Sequence, residues 1–231
     1  MTIEATTHPR VARAFIPGLL PSAVRVLAVT ARPGQESADL GGLLFAFRRS
    51  GASLSLLCLT RGKPAGQGSG NARLEAARPW EVQMAAAILG VRQVAVADYR
   101  AGSLHHYHTS DLAGRIQRAV GEYSADLVLV VAPETGDLGD VAVARAATAA
   151  ALRAGVPVAG RTRPGVSGAW MLDLGADAEI ARAIQKSAAA AHATQAGALP
   201  ELLRRLDQLD SVETLRWLLS PVRVPGQRVS P

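Results

Sequence analysis

Val24 to Thr30 reads Val-Arg-Val-Leu-Ala-Val-Thr, a short β-branched run bounded by Pro21 and Pro33. Such a run is the signature of a buried strand. Residues 36–50 follow with apolar side chains at helical spacing, and residues 53–60 (SLSLLCLT) read as a second strand. Outward from there the alternation continues. A helix is expected over 72–89, a strand over 91–97, and a helix over 110–123 with Ser110 as its N-cap. Residues 127–132 (LVLVVA) form a continuous apolar run, as in a strand covered on both faces. A helix over 140–154, strands over 156–159 and 169–174, and helices over 177–196 and 201–219 complete the pattern. Strands that alternate with helices build a mainly parallel sheet with helices on both faces, a three-layer Rossmann-like α/β fold. Ligands of such sheets bind beyond the carboxyl ends of the strands. The site is therefore expected in the loops after Thr30, Thr60, Ala97 and Ala132.

Composition narrows the function classes. The 231 residues are 48% hydrophobic and 19% charged, which suits one globular domain and argues against a disordered tail or a coiled coil. One cysteine, Cys58, excludes a disulfide framework and a cysteine-rich zinc module, and its apolar strand makes it a buried, inert thiol. No apolar run is long enough for a membrane span, and the first residues lack a signal pattern, so a cytoplasmic protein is expected. The net charge is +6, with only Lys63 and Lys186 as lysines among 25 basic residues. The arginines are scattered rather than gathered in a stripe, which disfavours nucleic acid and leaves an anionic or carboxylate-bearing small molecule as the better partner. Residues 1–22 are expected to be an N-terminal arm, 23–220 the domain, and 221–231 a loose tail.

The loop after the first strand reads Ala31-Arg32-Pro33-Gly34-Gln35-Glu36, then four residues, then Gly41-Gly42. This resembles the PIG-L / LmbE-like deacetylase family, whose first motif is A-H-P-D-D-E, four residues, then G-G. Leu59-Thr60-Arg61-Gly62, Arg78-Pro79-Trp80-Glu81 with Ile88-Leu89-Gly90-Val91, Asp98, and the late series Lys186, His192-Ala193-Thr194-Gln195 and Glu213 match further landmarks in order. The resemblance runs from about residue 24 to residue 217. It implies the family's fold and a cleft that, in the family, holds zinc to remove acetyl groups from amino-sugar derivatives. It also implies that Arg78 contacts substrate, that His192 is a pocket-side or helix-packing residue, and that homo-oligomers are common.

The chemistry of that resemblance breaks at its metal site. The family ligates zinc through a His and an Asp of the first motif and a His of a later H-x-D-H motif, with the other Asp as general base. Those positions here are Arg32, Gln35, Asp140 and Gly34, and Asp137 stands at the first His of the later motif. A guanidinium cannot ligate a metal, an amide is a poor zinc ligand, and glycine supplies no base. The expectation is a cleft without metal or other cofactor, in which Arg32 stands in for the cation and pairs with Asp140, and with Asp137 or Glu36 beside it. Three readings follow. The first is a metal-independent protein that binds an amino-sugar-like or other polar small molecule. The second is a repurposed enzyme of a specialised biosynthetic pathway, with Arg32 as an oxyanion clamp and Asp140, Glu36, Asp98 or a histidine as acid or base. The third is a zinc deacetylase with unusual ligands.

Other residues carry weaker signals. His105, His106 and His108 form a polar run after the third strand and suit an exposed loop, or acid/base and ligand contact at His105 if that loop borders the cleft. Arg78 has a bland alternative, pairing with Glu81 or Glu75 on its own helix. Gly66, Gly68 and Gly70 lack phosphate-loop spacing and read as a mobile lid. Trp80, Trp170 and Trp217 read as too dispersed for a stacking platform.

Overall fold

A computed structural model describes residues 20–62, 72–194, 199–207 and 210–221. The expected arm, the Gly66–Gly70 run and the C-terminal tail therefore lie almost wholly outside the described residues. Seven strands form one sheet in the order β3-β2-β1-β4-β5-β7-β6. These are β1 (Arg25–Thr30), β2 (Ser53–Thr60), β3 (Gln93–Tyr99), β4 (Leu127–Val131), β5 (Val158–Arg161), β6 (Ala169–Asp173) and β7 (Val212–Leu219). β1 to β5 pair in parallel, as the alternation with helices requires. β7 is antiparallel to both β5 and β6 and closes that edge.

The period of two along each strand divides the core into two layers. Val26, Ala28, Leu54, Leu56 and Cys58 face one side, toward α2 (Gly41–Arg49), α3 (Ala72–Leu89) and α6 (Ala178–Ala190). Leu27, Val29, Leu57, Leu59, Val128 and Val130 face the other, toward α4 (Thr109–Glu122) and α5 (Leu138–Ala154). All five β4 residues are buried, which explains the unbroken apolar run. The α/β three-layer architecture is the one the sequence predicts.

Four elements differ from expectation, each for a local reason. The helix expected over 36–50 is two: α1 (Gln35–Ala38) and α2, with Asp39 and Leu40 between them. The break lets Gly41 and Gly42 approach the last elements of the chain. A Cβ on Gly42 would meet Glu213 Oε1 at 2.0 Å. That carboxylate is buried and paired with Arg182 on α6 at 2.5 Å. The helix expected over 201–219 is α7 (Leu199–Asp207) followed by strand β7. Val212, Thr214, Leu215 and Trp217 carry β-favouring side chains, and pairing with β5 and β6 overrides a short helical pattern. α4 begins at Thr109 with His108 as an extended N-cap that makes no side-chain bond, so Ser110 is inside the first turn rather than the cap. α6 stops at Ala190, leaving His192 beyond the helix. Trp170 and Trp217 do meet, ring centres 5.5 Å apart across the β6–β7 pair, where they join the core.

Candidate functional site

β1 lies between β2 and β4, so the chain winds outward in opposite directions from the β1–β4 pair. That is a topological switch point, and the loops after the two strands part there to leave a crevice. The loop after β1 carries Arg32 to Glu36. The loop after β4 leads through a short 3-10 turn (Pro133–Thr135) to Asp137 and α5.

Asp137 is the N-cap of α5. Its Oδ1 accepts from the backbone N–H groups of Gly139 at 2.8 Å and Asp140 at 3.2 Å. This satisfies two of the donors that a helix start leaves over and places Asp140 in the first turn, 3% exposed. Gln35 bridges the crevice. Its Oε1 accepts from the Ala31 N–H at 2.8 Å, and its Nε2 donates to Asp140 Oδ1 at 2.7 Å. Arg32 reaches the same place from above, with its Nη1 3.2 Å from Asp137 Oδ2 and 3.6 Å from Asp140 Oδ1. Its side chain is 47% exposed, so the Asp137 contact alone is worth no more than about 1 kcal/mol.

Beneath this layer sits a second, in which Glu36, Ser37 and His192 are buried and Gly34 is partly so. Gly34 has φ 91°, a left-handed conformation that costs a side-chain-bearing residue and is free to glycine. Its N–H donates to Glu36 Oε2 at 2.9 Å. Glu36 Oε1 accepts from the Ser37 hydroxyl at 3.3 Å and lies 2.5 Å from His192 Nε2. An ionised carboxylate only accepts, so the imidazole donates to it. His192 is 3% exposed and Glu36 is 0% exposed. Sequence reasoning offers Glu36 as an acid or base and as a partner of Arg32. The structure instead commits both its oxygens to holding the loop, with His192 as its partner. Cys58 lies in the core close by, and burial, reinforced by the negative charge of Glu36, pushes its thiol up to about 12.

The β2 side of the cleft is tied to the β1 loop by Thr60. Its hydroxyl donates to the Ala31 carbonyl at 2.9 Å and accepts from the Gly62 N–H at 3.2 Å. Arg61 Nε pairs with Asp98 Oδ1 at 2.6 Å. Asp98 is the penultimate residue of β3, and its side chain is 78% exposed. Arg78, on α3, is 2% exposed. It does not pair with Glu81, whose carboxylate accepts from the Thr194 N–H at 2.7 Å and hydroxyl at 2.6 Å. The side chain of Glu75 is outside the described ones. His105 and His106 are exposed, with their rings 4.0 Å apart, and His108 is the exposed N-cap of α4.

The structure thus gathers Arg32, Gln35, Asp137 and Asp140 around one point and sets Glu36 and His192 under it. Arg78, Arg61 and Asp98 line up along the β2 and β3 side. Sequence reasoning missed the Arg61–Asp98 pair, since Arg61 entered only as a landmark after β2. It also missed the Thr60 hydroxyl, which nothing but the strand end would have flagged. Among the described residues, no group of three or more His, Cys, Asp and Glu is placed to hold a metal ion. No helix among them is long and apolar enough to cross a membrane.

Comparison with known proteins agrees with the landmarks. No curated protein matches the chain by sequence. The solved N,N'-diacetylchitobiose deacetylase from Pyrococcus horikoshii superposes with a TM-score of 0.67 at 15% identity, covering 85% of this chain and 84% of that one. The conserved protein TT1542 from Thermus thermophilus gives 0.66 at 19%, covering 88% and 99%. GalB from Pseudomonas putida, a 4-carboxy-2-hydroxymuconate hydratase, gives 0.61 at 18%, covering 89% and 99%. At these identities the likeness shows the shared fold. The family described as GlcNAc-PI de-N-acetylase, PIG-L, matches residues 27–151, from the middle of β1 almost to the end of α5. With more than half of its length matched, the chain belongs to the PIG-L family.

Proposed function

We propose that this PIG-L family protein binds an amino-sugar-like or other polar small molecule in the switch-point cleft, without zinc and without deacetylase activity. The observation that carries this is the state of Asp140. It is the one credible oxygen donor left at the family's metal position, and its carboxylate is held by the Gln35 amide at 2.7 Å with the Arg32 guanidinium 3.6 Å away. A catalytic zinc site needs three protein ligands and an open position for water. One carboxylate, an amide and a cationic guanidinium do not supply them, so the donor set does not fit the ion. In this reading Arg32, Gln35, Arg78, Asp137 and Asp140 bear on the ligand. Glu36 and His192 act through the loop they hold, and Asp98 and His105 stand exposed on the β3 side. The domain spans 23–220, is cytoplasmic, and meets no nucleic acid.

The repurposed-enzyme reading is favoured by one specific observation: the fold also carries a hydratase, as GalB's name states, so its chemistry is not confined to deacetylation. In that reading Arg32 clamps a developing oxyanion, with Asp140 or Asp98 moving the proton.

Metal analysis of the purified protein, paired with thermal-shift screening and acetate release on N-acetylated amino sugars, tests the proposal. The expected result is substoichiometric zinc, a ligand-dependent rise in Tm and no acetate. Near-stoichiometric zinc with acetate release overturns it. Turnover lost in Arg32→Ala and Asp140→Asn, with zinc absent, moves the assignment to the second reading.

A further inference from the structure

β3 stands at one edge of the sheet, and among the described residues only β2 pairs with it. Its outward row of backbone N–H and C=O groups is a template for a further strand, which proteins ordinarily blunt with lysine, proline or a very short strand. β3 has none of these. It runs from Gln93 to Tyr99, and Val94, Ala95, Val96 and Ala97 in its middle are partly exposed and carry no charge. The irregularity in its pairing with β2 falls after Val96, beyond that middle. The opposite edge, β6, is shorter and carries Asp173 with no basic residue in the strand to answer it.

The charges at the two ends of β3 are opposite in sign. Arg92, just before the strand, and Asp98, near its end, are both exposed. The period of two puts them on the face that carries Val94 and Val96, while Ala95, Ala97 and Tyr99 take the other. In an antiparallel pair of β3 with β3 of a second copy, the register decides what these charges meet. Centred on Ala95, Arg92 of each copy faces Asp98 of the other, and Val94 faces Val96. Centred on Val96, Arg92 meets Arg100 of the second copy, a like charge that opposes pairing. Centred on Val94, Arg92 meets Val96 and Asp98 is left opposite Gly90. The strand is thus complementary to itself in one register, in charge and in apolar contact together.

We propose that β3 is the interface of a homodimer, in which two copies of this chain join edge to edge into one continuous sheet about a two-fold axis at Ala95. Such an interface is isologous: the same strand serves both copies, and each Arg92–Asp98 pair is made twice. The antiparallel join turns the copies end for end, so their clefts open at opposite ends of the shared sheet. Asp98 pairs with Arg61 at 2.6 Å, yet its side chain is 78% exposed, which leaves it room for Arg92 of the second copy as well. The inference is independent of what the cleft binds.

Sedimentation equilibrium of the full chain tests this. A dimer is expected, with a Kd of about 10 μM or tighter. Arg92→Asp and Asp98→Arg each set like charges opposite one another at both ends of the strand pair, and each is expected to weaken the dimer about tenfold. Mixed in equal amounts, the two variants restore both ion pairs in a heterodimer, which is expected to regain the wild-type affinity. Ala95→Cys places two thiols across the axis. Opposite Cα atoms of an antiparallel pair lie about 4.5–5.5 Å apart, within reach of a disulfide, so mild oxidation is expected to link the copies. Cys58 is buried, and the wild-type protein is expected to give no such link. A wild-type protein that stays monomeric at about 100 μM overturns the inference and leaves the edge to another segment of this chain. A dimer that oxidation of the Ala95→Cys variant does not link, or that the charge variants leave unchanged, also overturns it, because its copies then meet through another face.

Discussion

Gln35→Glu changes one atom group at the centre of the site and has a calculable cost. The variant keeps the oxygen that accepts from the Ala31 N–H. It replaces the amide donor with a second carboxylate oxygen, facing Asp140 Oδ1 across a separation of 2.7 Å. Both residues are 3% exposed, so water does little to screen them. Two like charges about 4 Å apart at an effective dielectric of about 20 repel by about 4 kcal/mol. Holding a shared proton at pH 7, about three units above an ordinary carboxylate, costs about 4 kcal/mol. The penalty is capped at that level, and the Arg32 guanidinium at 3.6 Å offsets part of it. The net loss is about 2–3 kcal/mol, a drop in Tm of roughly 5–10 °C for a chain of this size. The pair binds its proton more tightly folded than unfolded. The variant's deficit is therefore absent below about pH 4, grows as pH rises, and levels off above the folded value. Thermal melts of both proteins at acid, neutral and mildly alkaline pH read it directly. A deficit that is the same at every pH, or that grows toward acid, refutes the Gln35–Asp140 contact.

Three further outcomes follow from the same structure. Burial raises the Cys58 thiol from its ordinary 9.0 to about 12, so its contribution to stability is present below about pH 9 and lost as pH climbs toward about 12; at pH 8 a disulfide reagent should modify only unfolded chain, and modification of the native protein at the rate of a free thiol contradicts the burial. Gly42→Ala drives a methyl group to within 2.0 Å of Glu213 Oε1 and 2.7 Å of Arg182 Nη1, and should cost about 2–4 kcal/mol in denaturant unfolding by displacing a buried ion pair; a change under about 0.5 kcal/mol would place α2 further from α6 and β7 than described. Asp137→Ala removes the N-cap of α5 and should lower stability by about 0.5–2 kcal/mol in the same assay, while Asp137→Asn, which keeps an acceptor, retains most of it.

The sheet was legible because its signal is physical and local. Residues 24–30, 53–60 and 127–132 are β-branched and apolar runs whose alternate side chains feed two core layers, and these strands sit within a residue or so of expectation. The parallel order followed from the helices between them. What was not legible depends on contacts far along the chain. The end of the expected helix over 201–219 is a strand because β5 and β6 offer it partners some forty to sixty residues earlier. The space over Gly42 is taken by Arg182 and Glu213, from far later in the chain, and a helical period over residues 36–50 does not announce those contacts. In the site, the motif order located the loop that brings Arg32 to Asp137 and Asp140. It could not tell that Glu36 would be spent on His192, a pairing across 156 residues. Nor could it tell that Glu81 would leave Arg78 for Thr194, since a helix neighbour is the default partner only until the tertiary fold offers a better one.

The two layers of the site explain how a family fold persists here over a changed set of reactive groups. The lower layer, Gly34, Glu36, Ser37 and His192, fixes the backbone of the β1 loop through buried and partly buried contacts that involve none of the residues at the metal and base positions except the Gly34 N–H. The Gly34 contact is made by the main chain, so side-chain changes there spare it while the φ 91° turn is kept. The upper layer, Arg32, Gln35, Asp137 and Asp140, is where side-chain chemistry differs, and its members satisfy one another across the crevice. The lower layer is therefore blind to what the upper layer carries. Resemblance along the chain speaks for the lower layer and the sheet beneath it, whereas the reaction, or its absence, is decided by charge and hydrogen bonding in the upper one. There the Arg32 guanidinium stands against the carboxylates of Asp137 and Asp140, and that balance of charge is what a ligand or a metal ion would have to displace.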